Sequence, residues 1–240
     1  MTHKIIFFDT ETTGNTDKDF LCQLAYKTGG EEFNQTYKPP IKIPAEASAV
    51  HHISNKMVED RPAFKDSEDY AKVKELFEDP EVVMVAHNAP FDLKVMEKEN
   101  IIPKRFICTL RVARHMDPEN KIPRYNLQYL RYFLEMEIEA TAHDAMGDVL
   151  VLEQFYPRLF KKIQDAFDLD DDQTVEKMIE ISSTPSLMHS FNFGKHTGKK
   201  VSEVAAADRG YLEWLLNQKL QSDQNEEDWI YTLKHYLGME

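Results

Sequence analysis

The fold is decided by the stretch Phe7-Phe8-Asp9-Thr10-Glu11-Thr12-Thr13-Gly14, which follows Ile5-Ile6 near the start of the chain. The run from Ile5 to Phe8 has the length and the aromatic and β-branched content of a buried strand. Because alternate residues of a strand point to the same face, Asp9 and Glu11 project side by side at its end. A hard divalent cation is the simplest partner for two such carboxylates. An exposed acidic turn would show the same local pattern, so the rest of the chain decides between the two.

The composition fits one domain of ordinary size and a smaller one, because 42% of the 240 residues are hydrophobic. The formal net charge of −13 argues against a protein that binds along nucleic acid by charge alone, but it is compatible with an enzyme that binds only the end of a strand. Cys22 and Cys108 have neither metal-ligand spacing nor a disulfide pattern, which predicts reduced, buried thiols. The sequence shows no signal-peptide pattern and no long apolar segment. We therefore expect a soluble cytoplasmic protein with no membrane partner.

Further strands are predicted outward from the first one. Residues 20–26 and 32–37 flank a tight turn, which predicts an antiparallel start to the sheet. Residues 82–86 form a continuous apolar run of the kind that is buried on both faces. Helical spacing over 64–77 and a strand at 105–108 followed by another helix complete an alternating pattern. This pattern predicts an α/β fold with a mixed sheet.

A third carboxylate follows the buried strand in His87-Asn88-Ala89-Pro90-Phe91-Asp92. Asn88 suits a helix N-cap and Pro90 suits a first helical turn, so Asp92 is expected within the first turn of a helix to about Asn100.

A histidine and a further aspartate mark the start of a later helix. Thr141-Ala142-His143-Asp144 has the form of a capping box that opens a helix toward Phe160. His143 and Asp148 are about 140° apart around a helix, so they do not share one stripe. This suits an Asp148 that points into a site from the helix and a His143 that approaches from its N-terminal end.

The rest of the chain is predicted to hold an acidic junction and a small second unit. We expect a domain at 1–165, an acidic linker or helix at 166–184 and a C-terminal domain at 185–240.

In the C-terminal unit, residues 190–200 predict a strand that enters a basic glycine turn. This turn is not a phosphate-binding P-loop, because Lys200 stands where Ser or Thr would bind magnesium. Its lysines fit a solvated loop and a phosphate contact equally well. Trp214 is expected in the core.

The three acidic motifs occur in a characteristic order. Read as FDTETTG, HNAPFD and HDAMGD, they resemble the motifs of the DEDDh branch of the DnaQ-like 3′-to-5′ exonucleases, over about Ile5 to Phe160. The tail, with Pro185 to Met188, Phe193-Gly194-Lys195 and Gly210-Tyr211-Leu212, is similar to the C-terminal region of the exodeoxyribonuclease X type. The resemblance implies a ribonuclease H-like fold, with a mixed five-stranded sheet flanked by helices and a small C-terminal α+β region.

The resemblance also implies roles for individual residues. The metal ligands would be Asp9, Glu11, Asp92 and Asp148, binding two Mg²⁺ ions for which Mn²⁺ would substitute. His143 would be the general base, since an ordinary histidine with a pKa of about 6.5 can take a proton near neutral pH. The substrate contacts would be Thr10, Thr12, Thr13, His51, Asn88 and Phe91.

We therefore expect a metal-dependent 3′-to-5′ exonuclease that hydrolyses phosphodiester bonds at DNA 3′ ends, releases nucleoside 5′-monophosphates and acts in DNA repair. An exoribonuclease or RNA-trimming enzyme is an alternative, because the motif residues contact phosphate and metal more than sugar. A proofreading or adaptor subunit of a DNA polymerase is another, although it would need an apolar docking stripe. An inactive nucleic-acid-binding relative is disfavoured by the intact set of five residues. A homodimer stays open, and a polymerase partner is disfavoured.

Overall fold

The computed structural model describes residues 3–16, 18–138, 144–224 and 226–239. The strands are β1 (Lys4–Thr12), β2 (Leu21–Thr28), β3 (Glu31–Thr36), β4 (Val82–Ala86) and β5 (Phe106–Cys108). The helices are α1 (Ala45–His51), α2 (Asn55–Val58), α3 (Tyr70–Glu78), α4 (Ala89–Lys98), α5 (Thr109–His115), α6 (Leu127–Phe133), α7 (Ala145–Phe167), α8 (Asp171–Ser183), α9 (Val201–Ala207), α10 (Arg209–Leu220) and α11 (Glu227–Leu237). Short 3₁₀ helices cover Phe64–Asp66 and Gly194–His196.

The strands form one mixed sheet in the order β3-β2-β1-β4-β5. The pairs β1–β2 and β2–β3 are antiparallel, whereas β1–β4 and β4–β5 are parallel. The predicted α/β fold with five strands is therefore confirmed. Because β1 and β4 run in the same direction, their carboxyl ends meet at one edge of the sheet, where ligands bind in open α/β sheets.

The central strand β1 is covered on both faces. Ile6 and Phe8 are fully buried on one face, where the Phe8 ring meets that of Phe77 edge to face at 5.5 Å. On the other face the Phe7 ring meets Tyr156 of α7 at 5.4 Å. Burial of one such side chain contributes about 1.5–3 kcal/mol, so β1 is held rigidly at the centre of the molecule.

Two predicted helices have different bounds in the structure. The helix expected over 64–77 starts only at Tyr70, because the Ser67 hydroxyl donates to the Phe64 carbonyl at 2.7 Å and closes the turn before it. The helix expected to reach Phe160 continues to Phe167. Both thiols, Cys22 and Cys108, are free and buried as predicted.

Segment 166–184, for which we expect an acidic linker or helix, contains α8. Its inner residues Val175 and Met178 are buried in the cluster that also holds Val85 and Ile107 of the sheet. The Ser182 hydroxyl accepts a hydrogen bond of 2.8 Å from the Cys108 backbone N–H. The outer face of α8 carries its acidic residues, and its inner face covers the sheet.

The C-terminal region has its own buried cluster, which includes Phe191, Leu212 and Trp229. The expected strand is limited to an isolated bridge between Ser190 and Lys200, so this region is mainly helical. Trp214 is 54% exposed, and its predicted place in the core is wrong.

Within the part of the chain that the structure describes, no helix combines the length and the apolar character needed to cross a lipid bilayer.

Candidate active site

The first two candidate ligands lie on β1. Asp9 and Glu11 point to the α7 face of the sheet and are partly buried, while the residues between and beside them point to the opposite core. Asp9 is opposite Ala25 and Glu11 is opposite Gln23 of β2. The alternation expected from the sequence therefore places both carboxylates on one face.

Helix α7 brings a third carboxylate to the same place. Its first turn packs on β2 through Ala145 and Val149, which are fully buried with Ala25. Asp148 follows in this turn. One oxygen each of Asp9, Glu11 and Asp148 lies within 4.8 Å of the other two. Three carboxylates from two elements therefore converge.

The start of α7 is fixed by hydrogen bonds. Asp144 is the N-cap, and its carboxylate accepts from the Gly147 N–H at 3.3 Å, whereas Thr141 of the predicted capping box lies outside the described residues. The Gln23 side-chain amide donates to Asp144 at 3.0 Å, which ties the helix end to β2. His143, the predicted general base, lies outside the described residues.

The fourth candidate ligand, Asp92, is placed by α4 and is only 3% exposed. One of its oxygens accepts from the Thr10 N–H at 3.1 Å and from the Thr10 hydroxyl at 2.7 Å. It does not belong to the group of three carboxylates that converge within 4.8 Å. Thr10, expected at the substrate, is buried and holds Asp92 against β1.

Burial and mutual repulsion raise the pKa values of the site carboxylates. Burial raises the pKa of Asp9 well above its usual value, and the charges of Asp92 and Asp148 add to the rise. Burial, followed by the charges of Asp148 and Asp92, raises the pKa of Glu11 to about 8. Burial also raises the pKa of Asp92 to about 7, although the hydrogen bonds from Thr10 oppose it. Mutually repelling buried carboxylates with converging oxygens fit a hard divalent cation.

These shifts predict how stability depends on pH in the absence of metal. The folded-state pKa values of Glu11 and Asp92 exceed the ordinary values of about 4. The stability that protonation contributes is therefore fully present below about pH 4 and is lost as the pH rises through about 7 to 8. With a chelator present, we expect Tm to rise as the pH is lowered from about 8.5 to about 6, because Glu11 and Asp92 become protonated.

The check is thermal unfolding in chelator across this range, for the parent and for Glu11→Gln. The substituted chain should have a flatter profile, because it lacks one of the titrating groups. Identical slopes for the two chains would contradict the prediction.

Gln128 of α6 is a site residue that sequence reasoning missed. Its side-chain amide donates to an oxygen of Asp148, and no motif marks it. Such a hydrogen bond would orient Asp148 as a candidate metal ligand, and loss of a partner of this kind costs about 10- to 100-fold in activity or metal affinity.

We expect Gln128→Leu to lower kcat/KM by this factor of about 10 to 100, since Asp148 loses its orienting donor. The measurement is steady-state hydrolysis of a short labelled oligonucleotide. Gln218→Leu on the exposed side of α10 is the matched control. Equal rates for the two variants would show that Gln128 does not position Asp148.

The loop after β1 is held by Asp19, another residue without a sequence signal. Its carboxylate accepts from the Thr13 hydroxyl at 2.9 Å and from the Thr16 N–H at 2.8 Å. Burial alone would raise the pKa of Asp19, but the hydrogen bonds from Thr16 and Thr13 lower it overall. A Cβ on Gly14 would lie 2.7 Å from this carboxylate, so a larger residue there would displace Asp19 from its hydrogen bonds. Thr12 and Thr13, predicted substrate contacts, are themselves buried.

The remaining predicted substrate contacts differ in exposure. His51 is 5% exposed, accepts from the Ile53 N–H at 3.0 Å, and has a pKa lowered by burial, which makes it a neutral packing residue. Phe91 is partly buried against the core. Asn88 is exposed, with a φ of 67° and no side-chain cap, so it is the one of these three that is open to a ligand.

Comparisons with known proteins add family evidence. The model of a family described as "Exonuclease" matches residues 6–156, and that of an "Exodeoxyribonuclease X-like C-terminal" family matches residues 191–219. Exodeoxyribonuclease 10 of Escherichia coli K12 is 32% identical over 204 residues, covering 83% of this chain and 82% of that protein. DNA polymerase III subunit epsilon of Rickettsia conorii is 30% identical over 189 residues, covering 71% and 79%.

Solved structures share the fold. Exonuclease X in complex with 5′ overhanging duplex DNA has a TM-score of 0.56 at 21% identity, over 74% of this chain and 99% of that one. Escherichia coli exonuclease I with a dT13 oligonucleotide has a TM-score of 0.59 at 20% identity, over 69% of this chain and 43% of that one.

Proposed function

The chain belongs to the exonuclease family, and from this premise we propose that it is a metal-dependent 3′-to-5′ exodeoxyribonuclease that releases nucleoside 5′-monophosphates. The observation that carries the proposal is the convergence of Asp9, Glu11 and Asp148 within 4.8 Å at the carboxyl end of β1. DNA is favoured as substrate by the relatives, which include an exodeoxyribonuclease and a DNA polymerase subunit.

The cofactor in this proposal is a pair of Mg²⁺ ions, with Mn²⁺ able to substitute. The ligands would be Asp9, Glu11, Asp92 and Asp148. Bound divalent cations lower the pKa of water and offset the negative charge that develops on a phosphodiester during displacement. The donor set is all carboxylate, which suits Mg²⁺ and Mn²⁺ better than softer metals.

The protein's own residues divide the work of the reaction. Thr10 holds Asp92, and Gln128 orients Asp148, so the carboxylates are preorganised. His143 accepts a proton from the attacking water. The new bond joins the water oxygen to phosphorus, and the bond between phosphorus and the 3′ oxygen of the preceding nucleotide breaks. That oxygen leaves as the new 3′ end.

Several finer points belong to the same proposal. We divide the chain into a catalytic domain at 1–165, a segment at 166–184 that carries α8, and a C-terminal domain at 185–240. A DNA repair role and a cytoplasmic location fit an enzyme that trims DNA ends, and a homodimer is compatible with it. The C-terminal match to the exodeoxyribonuclease X type favours a free enzyme over a polymerase subunit.

The test is degradation of DNA and RNA oligonucleotides labelled at either end, with magnesium, manganese or chelator. We expect a ladder of shortened products from 5′-labelled DNA, and immediate release of a labelled mononucleotide from 3′-labelled DNA. Chelator should stop both. Faster degradation of RNA, or shortening from the 5′ end, would overturn the proposal.

The role of His143 has a separate test. We expect His143→Gln to lower kcat by roughly 100-fold while the affinity for Mg²⁺ is retained, because a proton acceptor and not a ligand is lost. The parent rate should also fall as the pH drops below about 6.5, the pKa of an ordinary histidine. His52→Gln, at an exposed position, is the control. A flat pH profile in the parent would remove His143 from this role.

A further inference from the structure

A groove of about 940 Å³ separates the catalytic domain from the C-terminal region. One wall contains Asn88 and Pro90 at the start of α4 and Arg124 just before α6. The other wall contains Thr197 and Gly198 of the glycine turn, together with neighbouring residues. The size is within the range of ligand-binding clefts.

The groove and the carboxylate site share helix α4. Asn88 immediately precedes this helix, and Asp92 lies in its first turn. Asn88 is exposed and its side chain makes no cap hydrogen bond, so its amide faces the groove without a competing role in the helix. A strand whose 3′ end reached Asp92 would have its preceding nucleotides beside this wall.

The acidic residues of the groove are neutralised by cations. Glu226 pairs with Lys219 at 2.7 Å, and Glu227 pairs with Arg111 at 2.6 Å. Asp228 lies between the guanidinium groups of Arg111 and Arg114. Their charges therefore do not repel an anionic ligand as free carboxylates would.

One cation that lines the groove, and two that follow a lining residue in sequence, lack such a partner. Arg124 is exposed and forms no ion pair within the described residues, where its guanidinium lies 5.9 Å from the Tyr129 ring. Lys199 and Lys200 follow Gly198 directly, are exposed, and likewise form no ion pair with any described residue. Arg124 on one wall and two lysines next to Gly198 of the other wall supply the positive charge that a groove for a phosphate backbone requires.

The wall that carries Arg124 is held in place by its neighbour Tyr125. The His87 ring donates to the Tyr125 carbonyl at 2.6 Å, and burial lowers the pKa of His87 to about 4, which keeps it neutral. The Tyr125 hydroxyl donates to Asp117 at 2.7 Å. Across the groove, the Asn120 amide donates to the Ser190 hydroxyl at 3.1 Å. The groove is therefore built into the fold.

We propose that this groove binds single-stranded DNA on the 5′ side of the terminal nucleotide. The phosphate contacts would be Arg124 of one wall, and Lys199 and Lys200, which follow Gly198 of the other wall. With so few unpaired cations, the groove suits one phosphate backbone better than two. The inference rests on the proposed function, because it requires a DNA strand whose 3′ end lies at the carboxylates. It gives the C-terminal region a direct part in holding the substrate.

The test compares the affinity for a trinucleotide and for a dodecanucleotide, using full-length Asp9→Asn protein in chelator and fluorescence anisotropy of 5′-labelled single strands. Binding should tighten with length in this background. Adding Arg124→Gln, Lys199→Gln and Lys200→Gln should reduce that gain about tenfold. Loss of three phosphate contacts should also reduce the salt dependence of log K by about 2, at about 0.7 per contact. The control adds Lys4→Gln and Lys104→Gln, which removes two exposed positive charges that do not line the groove.

The outcomes separate the two proposals. If the variant with the three groove substitutions gains as much affinity from the trinucleotide to the dodecanucleotide as the control does, the groove assignment is overturned. The exonuclease proposal would stay intact. A blunt duplex could also bind as tightly as the single strand and lose as much affinity through the three substitutions. This result would assign the groove to duplex DNA and overturn the single-strand assignment. Failure of the parent protein to degrade any DNA would instead reject the proposed function itself.

Discussion

Asp9→Asn is expected to reduce DNA hydrolysis by at least about 10³-fold and, at the same time, to raise the Tm of the metal-free protein. The loss follows because several kcal/mol of charge stabilisation depend on the ligand set, and each 1.4 kcal/mol or so is a factor of ten in rate. The gain follows because Asp9 is buried among like charges that raise its pKa. An amide removes that repulsion. The two measurements are the cleavage rate with Mg²⁺ and thermal unfolding in chelator at about pH 8.

The opposite signs of the two effects make this prediction specific. A substitution that damaged the fold would lower both activity and Tm. Asp60→Asn, at an exposed position outside the site, should change neither. Retained cleavage by Asp9→Asn would remove Asp9 from the ligand set, and a lowered Tm would contradict the repulsion among the carboxylates.

We expect Asp148→Asn to reduce the rate of DNA hydrolysis about as much as Asp9→Asn does. The reduction for Asp144→Asn should be at least about 100-fold smaller. Asp148 contributes an oxygen to the convergent group, whereas Asp144 caps α7 through the Gly147 N–H. Asn caps a helix about as well as Asp, so Asp144→Asn preserves the helix start. Each change replaces a carboxylate by an amide in the same helical turn. The pair therefore separates the function of a ligand from that of a cap.

Rates should be measured over a range of Mg²⁺ concentrations. Asp148→Asn should stay slow even at high Mg²⁺, because an amide oxygen is a weaker ligand without charge. Similar losses for both variants would mean that the charge around the site matters more than ligation by Asp148.

The parts of the site that could be predicted are those set by local periodicity. Alternation along β1 places Asp9 and Glu11 on one face, and the strand-to-helix junction places Asp92 in the first turn of α4. Both relations depend on residues close in sequence. Gln128 and Asp19 could not be found in this way. The hydrogen bond of Gln128 is to Asp148, which is 20 residues away in the sequence, and Asp19 contacts Thr13 only because the loop after β1 folds back.

The composition of a segment does not show which of its residues are buried when one face of a helix is apolar and the other is polar. The acidic character of residues 165–180 hides the inner face of α8, where Val175, Met178 and Ser182 are buried at helical spacing. In α10 the inner face belongs to Leu212, Leu215 and Leu216. Trp214 is about 200° around the helix from Leu212, so it points outward whatever its hydrophobicity.

Arg111 links three parts of the fold. Its guanidinium is 5% exposed and donates to the Ser182 carbonyl of α8 at 2.7 Å and to Glu227 of α11 at 2.6 Å. If α11 detached, Arg111 would lose both of its carboxylate partners, Glu227 and Asp228. The stability of α11 is therefore coupled to the position of Arg111 in α5. A chain cut after Thr184 would leave the Arg111 guanidinium without these carboxylates and should be less stable than the full chain.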